Sequence, residues 1–338
     1  MEIIMKRELL KFLRCPKSGH FLELEETNVD YENKTDLTND IENGWLVSED
    51  KQHRYPIRDG IPRFVPELNY ADSFGMQWNH FSKTQLDSHS GHAISANRFW
   101  EATAWNPEEM KECWVLDVGC GSGRFAEIAL NAGAQVVALD YSSAVDACYD
   151  NLKQHPNLHV VQGDIYTLPF SPESFHYVYS LGVLQHTPNV AKAFAALPYM
   201  VMSGGRLCVD CYEKSFKNRM LPKYWLRPLT KRIAKPQLFS RLKRLVPVLL
   251  IFSRTLGCVP VIGKLLKRMV PVADYKNILP LSKRQLREWA LLDTFDWLSP
   301  EYDSPQTSKR LRLWFEESGL DGIEVLKAGH LVGRGQKV

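Results

Sequence analysis

The sequence predicts an α/β protein whose centre is a doubly wound, mostly parallel, seven-stranded sheet. Residues 111–212 alternate short apolar segments with amphipathic helical segments such as 123–132 and 143–154, and the pattern resumes after residue 304. Strands that alternate with helices form parallel sheets covered on both faces. The predicted strands are 114–118, 135–139, 159–162, 177–181, 206–212, 322–327 and 330–335.

The remaining residues are additions to this sheet. We expect a small module over 1–68, a helical lid over 70–105, the sheet domain over 106–212 and 304–338, and a helical insertion over 213–303. The length of 338 residues fits one domain with such additions. The hydrophobic fraction of 44% excludes a disordered chain.

Charge is unevenly distributed along the chain. The net charge of the whole sequence is only +3, but residues 214–287 contain 19 Lys and Arg and one acid, Asp274. The rest contains 23 basic and 38 acidic residues. Within the insertion, Lys and Arg alternate with aliphatic residues, which predicts short amphipathic helices separated at prolines such as Pro228 and Pro247. This predicts a cationic surface that meets an anionic partner.

Cysteine usage and hydropathy indicate the cellular compartment in which we expect the protein. The seven cysteines are scattered without a pairing pattern, which favours a reducing compartment. Residues 1–13 are charged and lack the apolar core of a signal peptide. The most apolar window, 245–263, is interrupted by Arg254 and prolines, whereas a membrane span needs about 20 apolar residues. We expect a cytoplasmic protein that could lie peripherally on the inner face of a membrane.

A glycine-rich turn follows the first strand of the predicted sheet. Gly119, Gly121 and Gly123 allow a tight turn and let a ligand approach the backbone closely. A dinucleotide site would have a further glycine at position 124, where this chain has Arg124. The Gly-Lys-Ser/Thr of a phosphate loop is absent as well. The turn therefore suits a ligand without a pyrophosphate.

Three acids stand near the ends of successive strands. Asp117 precedes the first glycine by two residues, Asp140 ends the next predicted strand and Asp164 follows the one after. Ligands bind at this edge of open α/β sheets, where carboxylates accept hydrogen bonds from a donor-rich molecule. The arrangement resembles the Rossmann-like class I S-adenosylmethionine (SAM)-dependent methyltransferases, closest to the ubiquinone- and menaquinone-biosynthesis group with a type 11 methyltransferase domain.

The resemblance implies SAM as cofactor and assigns residues to it. Asp117 would face the methionine end, Asp140 and Tyr141 the ribose, Asp164 the adenine amine and Ile165 the adenine ring. No metal is implied at this site. The remaining implied contacts come from the glycine turn, the segment after the fourth strand and the lid: Gly119, Cys120, Gly121, Gly123, Leu181, Gln77 and Trp78.

The N-terminal module resembles the zinc-ribbon-like activator that is paired with some tRNA and protein methyltransferases. A structural zinc needs four thiolate or imidazole ligands, so the resemblance implies that the metal is lost and that apolar residues hold the module. His20 and His53 have the wrong spacing to substitute. The family's four metal positions fall on Cys15, Ser18, Ser48 and Lys51.

His186 is the candidate catalytic residue. It follows the fourth strand, in a segment that lies beside the transferable methyl group in the family. A hydroxyl acceptor must lose a proton, for which histidine is a suitable base. The alternative is a structural imidazole that caps the helix near Pro188 or bonds the backbone. Asp296 and Tyr302 are candidates to face the acceptor, with a structural turn as the alternative.

The sequence therefore predicts a methyltransferase acting on a hydroxyl or amine of a small-molecule or glycan intermediate, with phosphate- or lipid-linked acceptors included. We expect residues 213–303 to cap the acceptor site, where the basic surface meets an anionic acceptor, an anionic membrane or solvent alone. The alternatives are C-methylation of a membrane-resident quinone-like ring, methylation of tRNA or another nucleic acid, and a SAM-binding scaffold without activity. Sparse aromatics in the insertion disfavour nucleic acid.

Overall fold

Residues 5–26, 41–66, 69–215 and 220–338 are described by a computed structural model, and within them the strands form two sheets. The smaller sheet is antiparallel and belongs to the N-terminal module; its strands are β1 (Leu22–Glu26), β2 (Gly44–Ser48), β3 (Arg54–Arg58) and β4 (Ile61–Pro62). The larger sheet comprises β5 (Trp114–Val118), β6 (Gln135–Asp140), β7 (Leu158–Gln162), β8 (Phe175–Ser180), β9 (Val201–Cys211), β10 (Leu320–Ala328) and β11 (His330–Lys337).

The larger sheet has the strand order β10-β11-β9-β8-β5-β6-β7. Strands β5 to β9 pair in parallel, and β11 joins antiparallel to β9 and β10. The prediction of a doubly wound, mostly parallel, seven-stranded sheet is confirmed. Strand β9 begins earlier than predicted, at Val201, because Val201 pairs with Phe175.

Helices cover both faces of this sheet and form the cap. Short 3₁₀ turns occur at Arg7–Lys11, Leu184–His186 and Pro198–Met200. The α-helices are α1 (Asp72–His80), α2 (Asp87–Ser90), α3 (Ile94–Thr103), α4 (Pro107–Met110), α5 (Ala126–Asn131), α6 (Ala144–Leu152), α7 (Val190–Ala196), α8 (Pro222–Thr230), α9 (Lys235–Gly257), α10 (Gly263–Arg268), α11 (Lys283–Leu298) and α12 (Ser308–Glu317).

Alternation along the strands divides the core into two layers. Leu116 and Val137 face the N-terminal module, α7 and α12, whereas Val115 and Val136 face α3, α5 and α6. Side chains of successive strand residues point to opposite faces, so each strand contributes to both layers. A third cluster belongs to the cap, which therefore has a core of its own.

The prediction that prolines separate short helices in the insertion was wrong at two positions. Pro228 lies inside α8 and Pro247 inside α9. A proline within a helix removes one backbone hydrogen bond. The buried stripe Leu242, Val246 and Leu250 continues past Pro247, and its packing holds α9 together as one helix.

The metal positions of the N-terminal module are held by hydrogen bonds between protein groups. The Cys15 thiol lies 3.2 Å from the Tyr55 hydroxyl, and the Ser48 hydroxyl donates to Asp50 at 2.5 Å. The Lys51 ammonium pairs with Glu23. No group of three or more His, Cys, Asp and Glu side chains in the described residues could hold a metal ion.

In the described parts of the chain, none of the helices combines the length and apolar character needed to cross a membrane.

Candidate functional site

A cavity of about 990 Å³ lies between the carboxyl edge of the sheet and the cap. The described residues Asp117, Gly123 and Asp164 do not line it. The other candidates from the sequence come together around it: Gln77, Trp78, Gly119, Cys120, Gly121, Asp140, Tyr141, Ile165, Leu181 and His186.

The glycine turn has the backbone conformation that requires glycine. Gly119, Gly121 and Gly123 have φ angles of 88°, 53° and 93°, in the region that side chains disfavour. A Cβ on Gly121 would lie 3.1 Å from the indole nitrogen of Trp78. One on Gly123 would lie 2.6 Å from Leu152, so this third glycine serves core packing.

Asp140 connects the glycine turn to the end of β6. Its Oδ2 accepts a hydrogen bond from the Gly121 amide at 3.0 Å, and its Oδ1 accepts one from the Ser142 amide at 2.8 Å. Burial raises the pKa of this carboxyl, and the hydrogen bonds from Ser142 and Gly121 oppose that shift. The carboxyl group is thus fixed at the cavity wall beside the turn.

Asp117 and Asp164 do not line the cavity. The Asp117 side chain is buried within β5, and its Oδ2 has no hydrogen-bond partner in the described chain. Burial raises the pKa of Asp117 to about 8. Asp164 is half-buried and accepts a hydrogen bond from the Tyr166 amide at 2.9 Å. Burial raises its pKa as well.

Helix α1 closes one side of the cavity. Gln77 is 1% exposed, and neither polar atom of its side chain has a partner among the described residues. Asn79 anchors the helix by donating to the Ser143 carbonyl at 3.0 Å. An unpaired buried amide is costly without a partner, so Gln77 marks a place for a polar ligand group.

His186 lies in the 3₁₀ turn after β8 and lines the cavity. Its Nδ1 lies 3.0 Å from the carbonyl oxygen of Tyr302, and its ring contacts Phe74 and Tyr212. A carbonyl oxygen only accepts, so Nδ1 donates and the neutral ring has its acceptor at Nε2. The imidazole does not cap α7, because Asn189 does so by accepting from the Lys192 amide.

An ion pair that the sequence did not reveal fixes the loop before His186. Asp210 accepts a hydrogen bond from the Gly182 amide and one from Arg98 at 2.7 Å. Burial alone would raise the pKa of Asp210, but the Arg98 charge holds it below the usual range. The sequence signal for this ion pair was Asp210 itself, the single acid in strand β9.

The cap contributes two half-buried carboxyl groups to the cavity. Asp293 accepts hydrogen bonds from Tyr275 and Gln85, and burial raises its pKa to about 7. Asp296 accepts one from Tyr212 at 3.3 Å. Of the two predicted acceptor-facing residues, Asp296 lines the cavity, whereas Tyr302 contributes its carbonyl oxygen to His186.

Two family models match this chain. Residues 116–209 match the family described as a methyltransferase domain, and residues 6–60 match Trm112p-like proteins. The sheet domain is a SAM-dependent methyltransferase domain. This confirms the resemblance, the type of enzyme domain and its cofactor, together with the activator-like module.

Individual relatives match part of this chain. Sterol 24-C-methyltransferase of Pneumocystis carinii is 30% identical over 163 residues, which cover 46% of this chain and 42% of that protein. Demethylmenaquinone methyltransferase of Staphylococcus haemolyticus is 26% identical over 67% of this chain and 79% of its own. The solved structure of human N-acetylserotonin methyltransferase in complex with SAM is similar with a TM-score of 0.45 at 12% identity. The similarity covers 81% of this chain and 60% of that one. The chain spans less than half the length of the first relative.

Proposed function

We propose that this protein transfers the methyl group of SAM to a hydroxyl or amine of a small-molecule acceptor held beneath the cap. The observation that carries the proposal is the position of His186. Its Nδ1 is engaged by the Tyr302 carbonyl and its ring lines the cavity, so Nε2 is available as a proton acceptor.

The residues at the sheet edge fit SAM. Asp140 and Tyr141 would hold the ribose hydroxyls, and Ile165 would pack against the adenine ring. Asp117 and Gln77 have buried polar atoms without partners, and these would meet the polar methionine end directly or through water. SAM supplies an electrophilic methyl group on its sulfonium.

A further carboxylate, that of Asp164, would bind the adenine group of SAM. Asp164 would accept from the adenine amine beside Gly163 and Ile165, which line the cavity. The glycine turn, with Cys120 beside it, would let the cofactor approach the backbone, and Trp78 and Leu181 would enclose it.

In this proposal the protein's own groups position the acceptor and remove its proton. His186 Nε2 would accept the proton of the attacking hydroxyl, or of the attacking neutral amine, as the bond from the acceptor to the methyl carbon forms and the bond from that carbon to the SAM sulfur breaks. The ion pair of Arg98 and Asp210 holds the loop that carries His186. Methyl transfer is an in-line displacement, so positioning in a cavity that excludes water can supply much of the rate enhancement.

The acceptor that we favour is an anionic biosynthetic intermediate, such as a glycan or other small molecule with a phosphate or lipid link. Lys223, Lys264 and Lys267 line the cap side of the cavity and would meet such an anion. We further propose that the protein is cytoplasmic and contacts the anionic inner face of a membrane through 214–287.

C-methylation of a quinone-like ring is the second candidate, because the demethylmenaquinone relative aligns over most of its length. Nucleic acid is a weaker candidate, since the exposed cap surface is rich in aliphatic side chains rather than stacking aromatics.

The test uses the full chain with SAM carrying a labelled methyl group. SAM binding is measured by calorimetry, and transfer is followed into aqueous and organic extracts of a bacterial lysate. We expect wild type to bind SAM and label an acceptor, and His186→Ala to bind SAM without labelling. Binding without labelling by wild type would instead support a SAM-binding scaffold.

A further inference from the structure

Large exposed apolar side chains are concentrated at one end of the cap. They occupy the second half of α9, the turn that follows it and α10. We call this group the apolar tip. Val261 is fully exposed, and Ile251 and Leu265 are about two-thirds exposed. The apolar tip comprises Leu245, Val248, Ile251, Phe252, Val259, Val261, Ile262, Leu265 and Met269.

The apolar tip is not required to fold the cap. The inner stripe of α9, with Leu242 and Leu250, already packs in the core of the cap. The outer face of α9 changes along its length, from basic at Arg241 and Arg244 to apolar at Val248. Exposed basic side chains next to exposed apolar side chains are found in segments that lie at a membrane interface.

The turn between α9 and α10 presents its apolar apex outward. A Cβ on Gly263 would lie 2.6 Å from the carbonyl oxygen of Gly257, so the two ends of the turn touch. At the apex, Val261 has a φ of 63°, which β-branched residues rarely adopt. An apolar side chain is thus held in water at a position where glycine would be less strained.

The charges around the apolar tip favour an anionic surface. Lys243 and Lys264 are exposed beside it. The one acid of residues 214–287, Asp274, is paired with Arg254 and Lys267, each at 3.0 Å, and its side chain is 1% exposed. A second copy of this chain would place the same basic surface against itself, whereas anionic lipid headgroups complement it.

The cavity reaches the surface next to the apolar tip. Lys264 and Arg268 of α10 line the cavity and are also exposed at the surface. Behind them, the cavity is lined by Ser253 and Val270, and the Ser253 hydroxyl is buried without a partner in the described chain. A molecule at this opening would enter between basic side chains and continue towards His186.

We infer that the apolar tip inserts into an anionic bilayer and that the acceptor enters the cavity from that bilayer through the opening beside α10. The acceptor would be an amphiphile, with an apolar chain that stays among the lipids and an anionic group that meets Lys264 and Lys267. The route of entry rests on the proposed function, whereas insertion of the apolar tip does not.

The first experiment measures insertion with the full chain. The tip variant Val261→Ser/Ile262→Ser/Leu265→Ser is compared with wild type and with Leu313→Ser, a control at an exposed leucine of α12. Binding to vesicles of phosphatidylcholine and phosphatidylglycerol in equal parts is measured by co-sedimentation. We expect roughly tenfold weaker binding of the tip variant, unchanged binding of Leu313→Ser, and weaker binding of wild type to vesicles of phosphatidylcholine alone.

SAM affinity serves as the folding control, and it should be the same in all three proteins. Equal vesicle binding by wild type and the tip variant would overturn the inference. A wild-type dimer that the tip substitutions convert to a monomer, without vesicle binding, would show that a second copy covers the apolar tip.

The second experiment measures entry from the bilayer. Vesicles of bacterial total lipid extract are incubated with enzyme and methyl-labelled SAM, and the label is recovered in the organic phase. We expect labelled lipid with wild type and roughly tenfold less with the tip variant. Unreacted SAM stays in the aqueous phase, so an organic phase without label would overturn entry from the bilayer. If wild type also labels no acceptor in the lysate assay described above, the proposed function fails as well, and vesicle binding would still leave insertion standing.

Discussion

The Nδ1 atom of His186 lies 3.0 Å from the carbonyl oxygen of Tyr302, a residue 116 positions further along the chain. Tyr302 belongs to the segment that returns from the cap to the sheet. The same insertion therefore covers the acceptor cavity and sets the tautomer of the candidate base, because the carbonyl oxygen requires a proton on Nδ1. The same segment contacts the turn again where the Ser304 amide donates to the Gln185 carbonyl at 2.8 Å, and in the proposed function these two contacts couple the cap to the chemistry.

Replacement of His186 by alanine should lower turnover while SAM affinity is retained. General-base catalysis typically contributes about 10²- to 10⁴-fold, and we expect a loss of kcat in that range. Turnover is measured as S-adenosylhomocysteine release, and SAM affinity by calorimetry. His89→Ala, at an exposed position outside the cavity, is the control. Unchanged kcat in His186→Ala would assign the imidazole a structural role.

Asp140→Asn should weaken SAM binding. The substitution removes the negative charge that would accept from the ribose hydroxyls, and hydrogen bonds to charged groups contribute about 1.5–3 kcal/mol each. We expect the Kd to rise by about tenfold or more. Asp150→Asn, on the exposed side of α6, is the matched control. Equal Kd values for the two variants would show that Asp140 does not hold the ribose.

Chelation should leave the N-terminal module intact. The Cys15 thiol is hydrogen-bonded to Tyr55, and Ser48 and Lys51 have protein partners of their own. We expect the same Tm with and without a chelator, and less than about a tenth of an equivalent of zinc in the purified protein. A chelator-dependent fall in Tm would contradict this prediction.

The strands of the sheet could be predicted because the alternation of apolar and amphipathic segments is a local feature of the sequence. Each strand from β5 to β9 is a short apolar run between amphipathic segments, and the glycine turn and Asp140 sit at positions that strand ends define. Gly119, Gly121 and Asp140 therefore converge on one cavity, whereas Asp117, Gly123 and Asp164 do not line it.

Other parts of the site depend on contacts between distant residues. The partner of Asp210 is Arg98, 112 residues away, and the partner of His186 is a backbone oxygen, whose position no side-chain pattern encodes. The continuity of α9 through Pro247 follows from packing against the rest of the cap. Local proline chemistry predicts a break there, and tertiary contacts override it.

The pair of Arg98 and Asp210 should stabilise the fold and position His186. Asp210 is 1% exposed in its side chain, and removal of one partner from a buried ion pair costs about 3–5 kcal/mol. We expect Arg98→Met to lower the free energy of unfolding by an amount near that range and to lower kcat. Arg98→Met/Asp210→Asn should recover part of the lost stability, as measured by urea unfolding. Additive losses in this double-mutant cycle would show that the two residues act independently.

The stability of the protein should carry a pH dependence that originates at Asp293. Burial raises the pKa of this carboxyl to about 7, and Asp296 adds to the shift, while Tyr275 and Arg124 oppose it. In the unfolded chain the pKa of an aspartate is about 3.9. Between these values the folded state holds a proton that the unfolded state has released, so this group's contribution to stability falls as pH rises from about 4 to about 7.

Asp293→Asn removes that ionisation. The free energy of unfolding of the variant, relative to wild type, should therefore rise with pH across this window, by up to about 1.4 kcal/mol per unit. Urea unfolding of both proteins at a series of pH values measures the difference. A difference that stays constant from pH 4 to 7 would show that the carboxyl is ionised in the folded state throughout, and would place it as a fixed anion beside the acceptor.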